Sequence, residues 1–301
     1  MKGFAVLCPG QGAQSATMFE LTAAQAAAQL PPDLTAAATD PEQLFTNRCA
    51  QPLLVAVGIL RWQALRASVP TPSLIAGYSV GELTAYAVAG ALDGAASLAT
   101  ARLRAESMDR CVDPAQPHAM LALSGLTRTD LCRLLQQHAL HLAIDNGVDR
   151  WVVGGLAQQA SGLERQVAAL GGTCRLLPVA VASHTPLMLP ARVSFAQWLA
   201  TQAWGKFSAP VLRGIDGATI RDAGAAQAAL VDQLTRPVRW ADCMDTCSEG
   251  GIEVALELGP GDALSRLLRT RHPSIACRSI DEFRSLEAAA GWVNRQLGIG
   301  V

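Results

Sequence analysis

Lysine is almost missing from this chain. Lys2 and Lys206 are the only two, so nearly all positive charge is arginine, a bias that reflects genome composition more than function. Charged residues make up just 16% of the sequence and the formal net charge is −1. No global field therefore draws the protein to nucleic acid or an acidic membrane, although a local basic patch stays compatible with this balance. No apolar run approaches the ~20 residues needed to span a bilayer. The opening Met1-Lys-Gly-Phe-Ala-Val-Leu-Cys-Pro9 reaches a Pro-Gly turn too early for a signal peptide, so a soluble, cytoplasmic protein is expected. The eight cysteines contain no Cys-x-x-Cys pair, and a disulfide framework is not expected in a long chain of this kind. Cys243 and Cys247 would share one face of a helix, but no further Cys or His lies nearby to complete a metal site. Repeats, low-complexity tracts and linker-like segments are missing as well.

What is present is apolar and small. Half of the 301 residues are hydrophobic, which suits one large α/β domain or one carrying a smaller insert. Residues 4–8 form a short apolar run ended by Pro9-Gly10-Gln11-Gly12, the pattern of a buried strand meeting a turn. Ala-rich helical sequence follows to about residue 40, then a helix over 51–67, a buried strand at 74–76, and helices over 82–91 and 95–111. That βαβα rhythm predicts a parallel sheet covered by helices. Between residues 118 and 181 the rhythm changes to strand 119–124, helix 128–138, strand 141–144, strand 151–154, helix 158–170 and strand 174–179. This βαββαβ order is ferredoxin-like. The expected fold is α/β, an α/β-hydrolase-like parallel-sheet core formed by residues 1–117 and 182–301, with a small ferredoxin-like α+β subdomain inserted at 118–181. A strand over 253–258 and an amphipathic helix from Asp281 complete the reading.

The strongest chemical signal is Gly77-Tyr78-Ser79-Val80-Gly81 between a short strand and an Ala-rich helix. In that context Gly-x-Ser-x-Gly is a nucleophile elbow, in which small flanking residues permit a tight turn that exposes the serine. The turn also sets the Val80 N–H at a helix start, where unpaired donors and the helix dipole favour an anion. A Gly-lined turn with a capping serine is the plainer alternative. A serine hydroxyl needs a base to attack at neutral pH. Of the five histidines, His184 in Ser183-His184-Thr185-Pro186 follows a strand and is favoured over His118, His138, His141 and His272.

Pro9-Gly-Gln-Gly12, Gly77-Tyr-Ser-Val-Gly-Glu82, Arg104 with Met108, Ala119-Met-Leu-Ala, Ser183-His184, Arg236-Pro-Val-Arg-Trp240 and Glu257-Leu-Gly-Pro-Gly261 occur in this order. Together they resemble the malonyl-CoA:acyl carrier protein transacylase family and the acyltransferase domains of fatty acid and polyketide synthases, over essentially the whole chain. The resemblance implies Ser79 as the acylated nucleophile, His184 as its base, and the backbone N–H groups of Gln11 and Val80 as the oxyanion hole. It implies Arg104 as the partner of a free acyl carboxylate, a contact suited to the planar guanidinium fork. The imidazole is expected to be braced by backbone carbonyls near Pro237–Trp240 rather than by a carboxylate, and Asp145 is read as a loop residue capping Asn146-Gly147. The inserted subdomain is the expected lid that keeps water off the acyl ester.

Two positions depart from the housekeeping pattern: Tyr78 stands where histidine is usual and Arg239 where glutamine is usual. With Asp281-Glu-Phe-Arg-Ser285 and the Gly291-Trp292 tail, they resemble the malonyltransferase subunit of bacterial malonate decarboxylase. The expected partners are malonyl-CoA and a small acyl carrier protein or subunit, with other malonate decarboxylase subunits in the second role; nucleic acid and membrane are not expected. The housekeeping transacylase role is the alternative, and a serine thioesterase, which has no use for Arg104, the more distant one. No metal or organic cofactor is implied, since CoA and the carrier's pantetheine arm are substrates. Arg266, Arg269 and Arg271 either meet an acidic carrier or form an ordinary solvated helix face.

Overall fold

A computed structural model describes residues 2–299. In chain order the elements are β1 (Gly3–Cys8), α1 (Ala23–Gln29), α2 (Pro32–Thr39), α3 (Asn47–Leu65), β2 (Leu74–Gly77), α4 (Gly81–Val88), α5 (Gly94–Asp109), β3 (His118–Ser124), α6 (Arg128–His138), β4 (His141–Asp145), β5 (Arg150–Leu156) and α7 (Leu163–Ala169). They continue with β6 (Thr173–Leu176), α8 (Ala191–Thr201), β7 (Val211–Leu212), β8 (Thr219–Ile220), α9 (Ala223–Gln233), β9 (Val238–Arg239), α10 (Trp240–Glu249), β10 (Ile252–Glu257), α11 (Ala263–Arg271), β11 (Ala276–Ser279) and α12 (Leu286–Leu297).

The larger sheet runs β11-β10-β1-β2-β7-β8, parallel throughout except for the β7–β8 pair at one edge. Helices cover both faces, so β1 and β2 are buried on both sides and read as continuous apolar runs rather than alternating ones. The strand order reverses beside β1, with β2 and β7 on one side and β10 and β11 on the other. Open parallel sheets bind ligands beyond the carboxyl ends of strands at such a reversal. The loops after β1, β2 and β10 converge there. Local sequence explains several helix starts: Asp93, Thr127, Asp222 and Ser285 each accept a backbone N–H from the first turn of the following helix.

The smaller sheet has the order β6-β3-β5-β4, the ferredoxin-like arrangement, extended at β4 by a parallel fifth strand, β9. Because β9 comes from far downstream, the smaller sheet is stitched to the rest of the molecule. One hydrophobic core is shared across the join: Ala5, Leu7 and Ala76 of the large sheet pack in the same cluster as Met120, Ile144, Val152 and Trp240.

Some boundaries differ from the sequence reading. The Ala-rich stretch breaks into α1 and α2 at Leu30-Pro31-Pro32, where the missing amide proton and fixed φ of proline stop one helix and start the next. The helix expected over 158–170 splits into a short 3-10 turn, Ala157–Ala160, and α7, because Gly162 takes the left-handed conformation at φ +78°. The strand expected to reach 179 ends at Leu176. Asp281 lies in a 3-10 turn, and the last helix begins only after Ser285. No helix among the described residues is long and apolar enough to cross a membrane.

Trp240 sits where β9, α10 and the elbow meet. It is 1% exposed and stacks edge-on against Tyr78, with ring centroids 5.3 Å apart. Trp240→Ala is expected to destabilise the protein by about 3–5 kcal/mol, measured as a fall in the urea midpoint with an unchanged slope.

Candidate active site

Ser79 adopts φ +57°, a left-handed conformation that is uncommon outside glycine. The reason is the crossing of β1, β2 and α4. A Cβ at Gly81 would lie 2.1 Å from the Cys8 carbonyl oxygen, and one at Gly77 would lie 2.3 Å from the Glu82 backbone. Only glycines permit this approach, and the tight turn leaves the serine side chain standing clear of the strand. The Gln11 turn abuts the same spot, since a Cβ at Gly10 would lie 2.7 Å from the Tyr78 carbonyl oxygen and 3.4 Å from Ser79 Cβ. Val80 directly precedes α4; the Gly81, Glu82 and Leu83 N–H groups donate to the Tyr78, Ser79 and Val80 carbonyls, whereas the Val80 N–H has no acceptor among the described residues.

His184 also has a left-handed backbone, at φ +62°. Its Nε2 lies 2.8 Å from Ser79 Oγ, and its Nδ1 lies 2.6 Å from the backbone carbonyl of Gln233. A carbonyl can only accept, so Nδ1 carries the proton and donates it, leaving Nε2 unprotonated toward the serine hydroxyl. The brace is therefore the last residue of α9, not the Pro237–Trp240 stretch expected from sequence. The helix ends at Gln233 and leaves that carbonyl free of an intrahelical partner, which suits it to accept from the imidazole. The His184 backbone N–H donates to Leu234 O at 2.9 Å, fixing the same two segments together. Asp145 accepts from the Gly147 N–H and pairs with Arg128, as a loop cap. Of the other histidines, His118 Nδ1 accepts the Ala182 N–H, His138 meets the Gln159 carbonyl, and His272 pairs with Asp245.

Arg104 reaches the site from α5 and is 1% exposed. Its Nη1 donates to Gln51 Oε1 at 2.7 Å and its Nη2 to Gln233 Oε1 at 3.2 Å. Both partners are neutral, and Arg104 forms no ion pair among the described residues. The Gln51 amide is oriented by donating its Nε2 to Asn47 Oδ1. The nearest compensating charge is Glu82, wholly buried, which accepts from Tyr86 Oη, the Gly214 N–H and Gln233 Nε2. Sequence reasoning did not single out Gln51, Gln233 or Glu82 for a role. Glu82 stood inside the quoted elbow motif, and Gln51 is a polar residue on an otherwise apolar helix face; Gln233 carried no such mark.

Burial governs the ionisation of these groups. Burial, then the nearby positive charge of Arg104, holds His184 down to about 3, against the opposing Gln233 hydrogen bond. Burial also pushes the Glu82 carboxyl up to about 7 and the Arg104 guanidinium down to about 10, the latter opposed by Glu82. The arrangement is a hydroxyl facing a neutral imidazole, beside a buried cation whose direct contacts are uncharged. A surface cavity of about 670 Å³ near Trp62, Arg66 and Asp93 contains none of these residues.

Residues 6–276 match the model of the acyl transferase domain. The chain belongs to that family. It is an acyltransferase. It is 32% identical over 302 aligned residues to a malonyl CoA-acyl carrier protein transacylase of Mycobacterium bovis, spanning 95% of this chain and 99% of the relative. Among solved structures it resembles the malonyl CoA-acyl carrier protein transacylase of Coxiella burnetii, with TM-score 0.90, 27% identity and 98% of each chain covered. It also resembles a malonyl-transacylase solved in complex with its type II PKS acyl-carrier protein, with TM-score 0.89, 28% identity, and 96% and 99% covered. In this acyltransferase the arginines expected either to meet a carrier or to be solvated are engaged within the chain. Arg266 pairs with Asp262, Arg269 with Glu282 and Arg271 with Asp245.

The ionisation of His184 can be read directly. In an NMR titration of labelled histidine, the His184 ring is expected to stay neutral at pH 5, well below the ordinary value of about 6.5. Arg104→Leu removes a positive charge that disfavours imidazolium, so it should move the His184 midpoint upward. A wild-type midpoint near 6.5, or no shift in the variant, would contradict this account.

Proposed function

We propose that this acyltransferase moves a malonyl group from malonyl-CoA to the pantetheine-type thiol of an acyl carrier protein, through an ester on Ser79. The single observation that carries the reading is Arg104: a buried guanidinium with only neutral direct partners, reaching the same Gln233 that braces the base. Leaving such a cation without an anion is costly, and the free carboxylate of a malonyl group supplies one. An acetyl or simple fatty acyl group does not.

The chemistry needs no metal or organic cofactor. Ser79 Oγ attacks the thioester carbonyl carbon while His184 Nε2 takes its proton. The backbone N–H groups of Gln11 and Val80 receive the negative charge on the tetrahedral oxygen. The carbon–sulfur bond then breaks, His184 returns the proton to the leaving sulfur, and CoA departs as the thiol. The carrier thiol next gives its proton to His184 and attacks the ester carbonyl. The carbon–oxygen bond breaks, and Ser79 regains a proton. Residues 118–181, in this reading an inserted subdomain, limit water access to the ester.

The relatives favour the transacylase role. The malonate decarboxylase role rests on Tyr78 and Arg239, with the Asp281–Ser285 segment and the Gly291-Trp292 tail. Tyr78 packs against Trp240, and Arg239 pairs with Asp242 instead of reaching the base. The two roles share every step at Ser79 and differ only in the carrier, so the acceptor decides between them. Transfer to an acyl carrier protein but not to a carrier subunit bearing a dephospho-CoA-derived arm would favour the first.

Intact-protein mass spectrometry after brief incubation with malonyl-CoA is expected to show a malonyl-sized adduct, lost in Ser79→Ala and weak with acetyl-CoA. Arg104→Leu should lower kcat/KM for malonyl-CoA by roughly two to three orders of magnitude while acetyl transfer holds or rises, since the cation no longer weakens the base. Steady release of free malonate without an adduct would point to the thioesterase instead.

A further inference from the structure

The carboxylate that follows the elbow motif, Glu82, has no part in the proposed chemistry, yet it is completely buried and bonded to the Gln233 that contacts both Arg104 and His184. Glu82 Oε1 accepts from Tyr86 Oη at 2.9 Å. Its Oε2 accepts from the Gly214 N–H at 3.1 Å and from Gln233 Nε2 at 2.5 Å. Gln233 is fully buried too, and every polar end of it is engaged. Its side-chain Oε1 faces Arg104, its Nε2 faces Glu82, and its backbone oxygen faces His184 Nδ1.

An amide side chain has two possible orientations that differ by exchanging oxygen and nitrogen. If the Gln233 amide were reversed, its NH2 would point at the Arg104 guanidinium, donor against donor. Glu82, which offers only lone pairs toward Gln233 when ionised, accepts one orientation and rejects the other. We infer that Glu82 is a positioning residue that sets the Gln233 amide, so that a single peptide unit aims Arg104 at the acyl carboxylate and His184 at Ser79. Recognition of the acyl group and orientation of the base are thereby tied to one anchor. The inference rests on the proposed malonyl transfer.

The test measures acylation of Ser79 by malonyl-CoA and by acetyl-CoA and reads the ratio of the two kcat/KM values, which does not depend on the folded fraction. Wild type must first show the malonyl adduct and a malonyl preference; failure at that point would sink the transfer reading itself. Glu82→Leu removes the acceptor and is expected to lower the malonyl-to-acetyl ratio by about ten- to a hundredfold. It should also move the acidic limb of the pH–rate profile, since the Gln233 peptide whose carbonyl holds His184 is no longer anchored by its side chain. Glu82→Gln can keep an oxygen toward Gln233 and an NH2 toward Tyr86, so it should hold the ratio within about threefold of wild type. Tyr86→Phe, which leaves the Gln233 contact intact, should lower the melting temperature and leave the ratio alone.

If Glu82→Leu does not fold, Glu82→Met provides the same reading, because it removes the acceptor while keeping the unbranched shape of the side chain and leaving Gln233 in contact with Arg104. A ratio and pH profile unchanged in whichever of the two folds would overturn the inference. So would a loss in Glu82→Gln as large as in the leucine variant, because the role would then be one of charge and not of orientation.

Discussion

Three polar groups beyond the reach of bulk water are satisfied by one residue at the end of α9. Gln233 presents its carbonyl to His184, its side-chain oxygen to Arg104 and its side-chain nitrogen to Glu82. Each of these groups would be expensive to bury alone, since a desolvated donor, cation or carboxylate without a partner costs several kcal/mol. Gathering them on one peptide unit lets each compensate another. The helix must end where it does, because an intrahelical partner would occupy the carbonyl that the imidazole uses. Sequence around this residue is otherwise ordinary; its importance comes from where the chain carries it.

The second constraint is steric. Ser79 and His184 both sit at positive φ, strained positions for residues with side chains. At Ser79 the strain follows from the approach of α4 to the end of β1, which leaves no room for a Cβ at residues 77 and 81. At His184 the backbone N–H is tied to Leu234 and the preceding residues are tied to His118, so the unusual dihedral is held by bonds to two different parts of the chain. The fold therefore supplies a serine and an imidazole whose relative position varies little, which is what a near-attack geometry requires.

Electrostatics add a third constraint. Arg104 is held by amide oxygens that carry no charge, and its positive field helps keep His184 neutral. In the proposed reaction a carboxylate arriving at Arg104 offsets that field. The base then becomes a stronger proton acceptor in the complex that has the right substrate. A substrate without the carboxylate leaves the cation unmatched and the base weaker. In that reaction recognition and reactivity would be coupled through charge as well as through Gln233.

Much of this was legible in the sequence, and for identifiable reasons. The continuous apolar runs of β1 and β2, the Gly-x-Ser-x-Gly turn between a strand and a helix, and the βαββαβ rhythm after residue 118 are local patterns. Local sterics and burial alone determine them, so the α/β class, the ferredoxin-like unit and the position of Ser79 could be read directly. His184 could be favoured but not fixed, since distance to Ser79 is set across 105 positions of chain. The tertiary structure alone decided the brace on that histidine, which moved from the expected Pro237–Trp240 stretch to Gln233. It also decided that β9 joins the smaller sheet, that Gln51 and Gln233 hold Arg104, and that Glu82 holds Gln233. These are contacts between buried polar groups remote in sequence. A polar residue carries no mark of its future partner, because hydrogen bonding depends on where folding brings the two groups together.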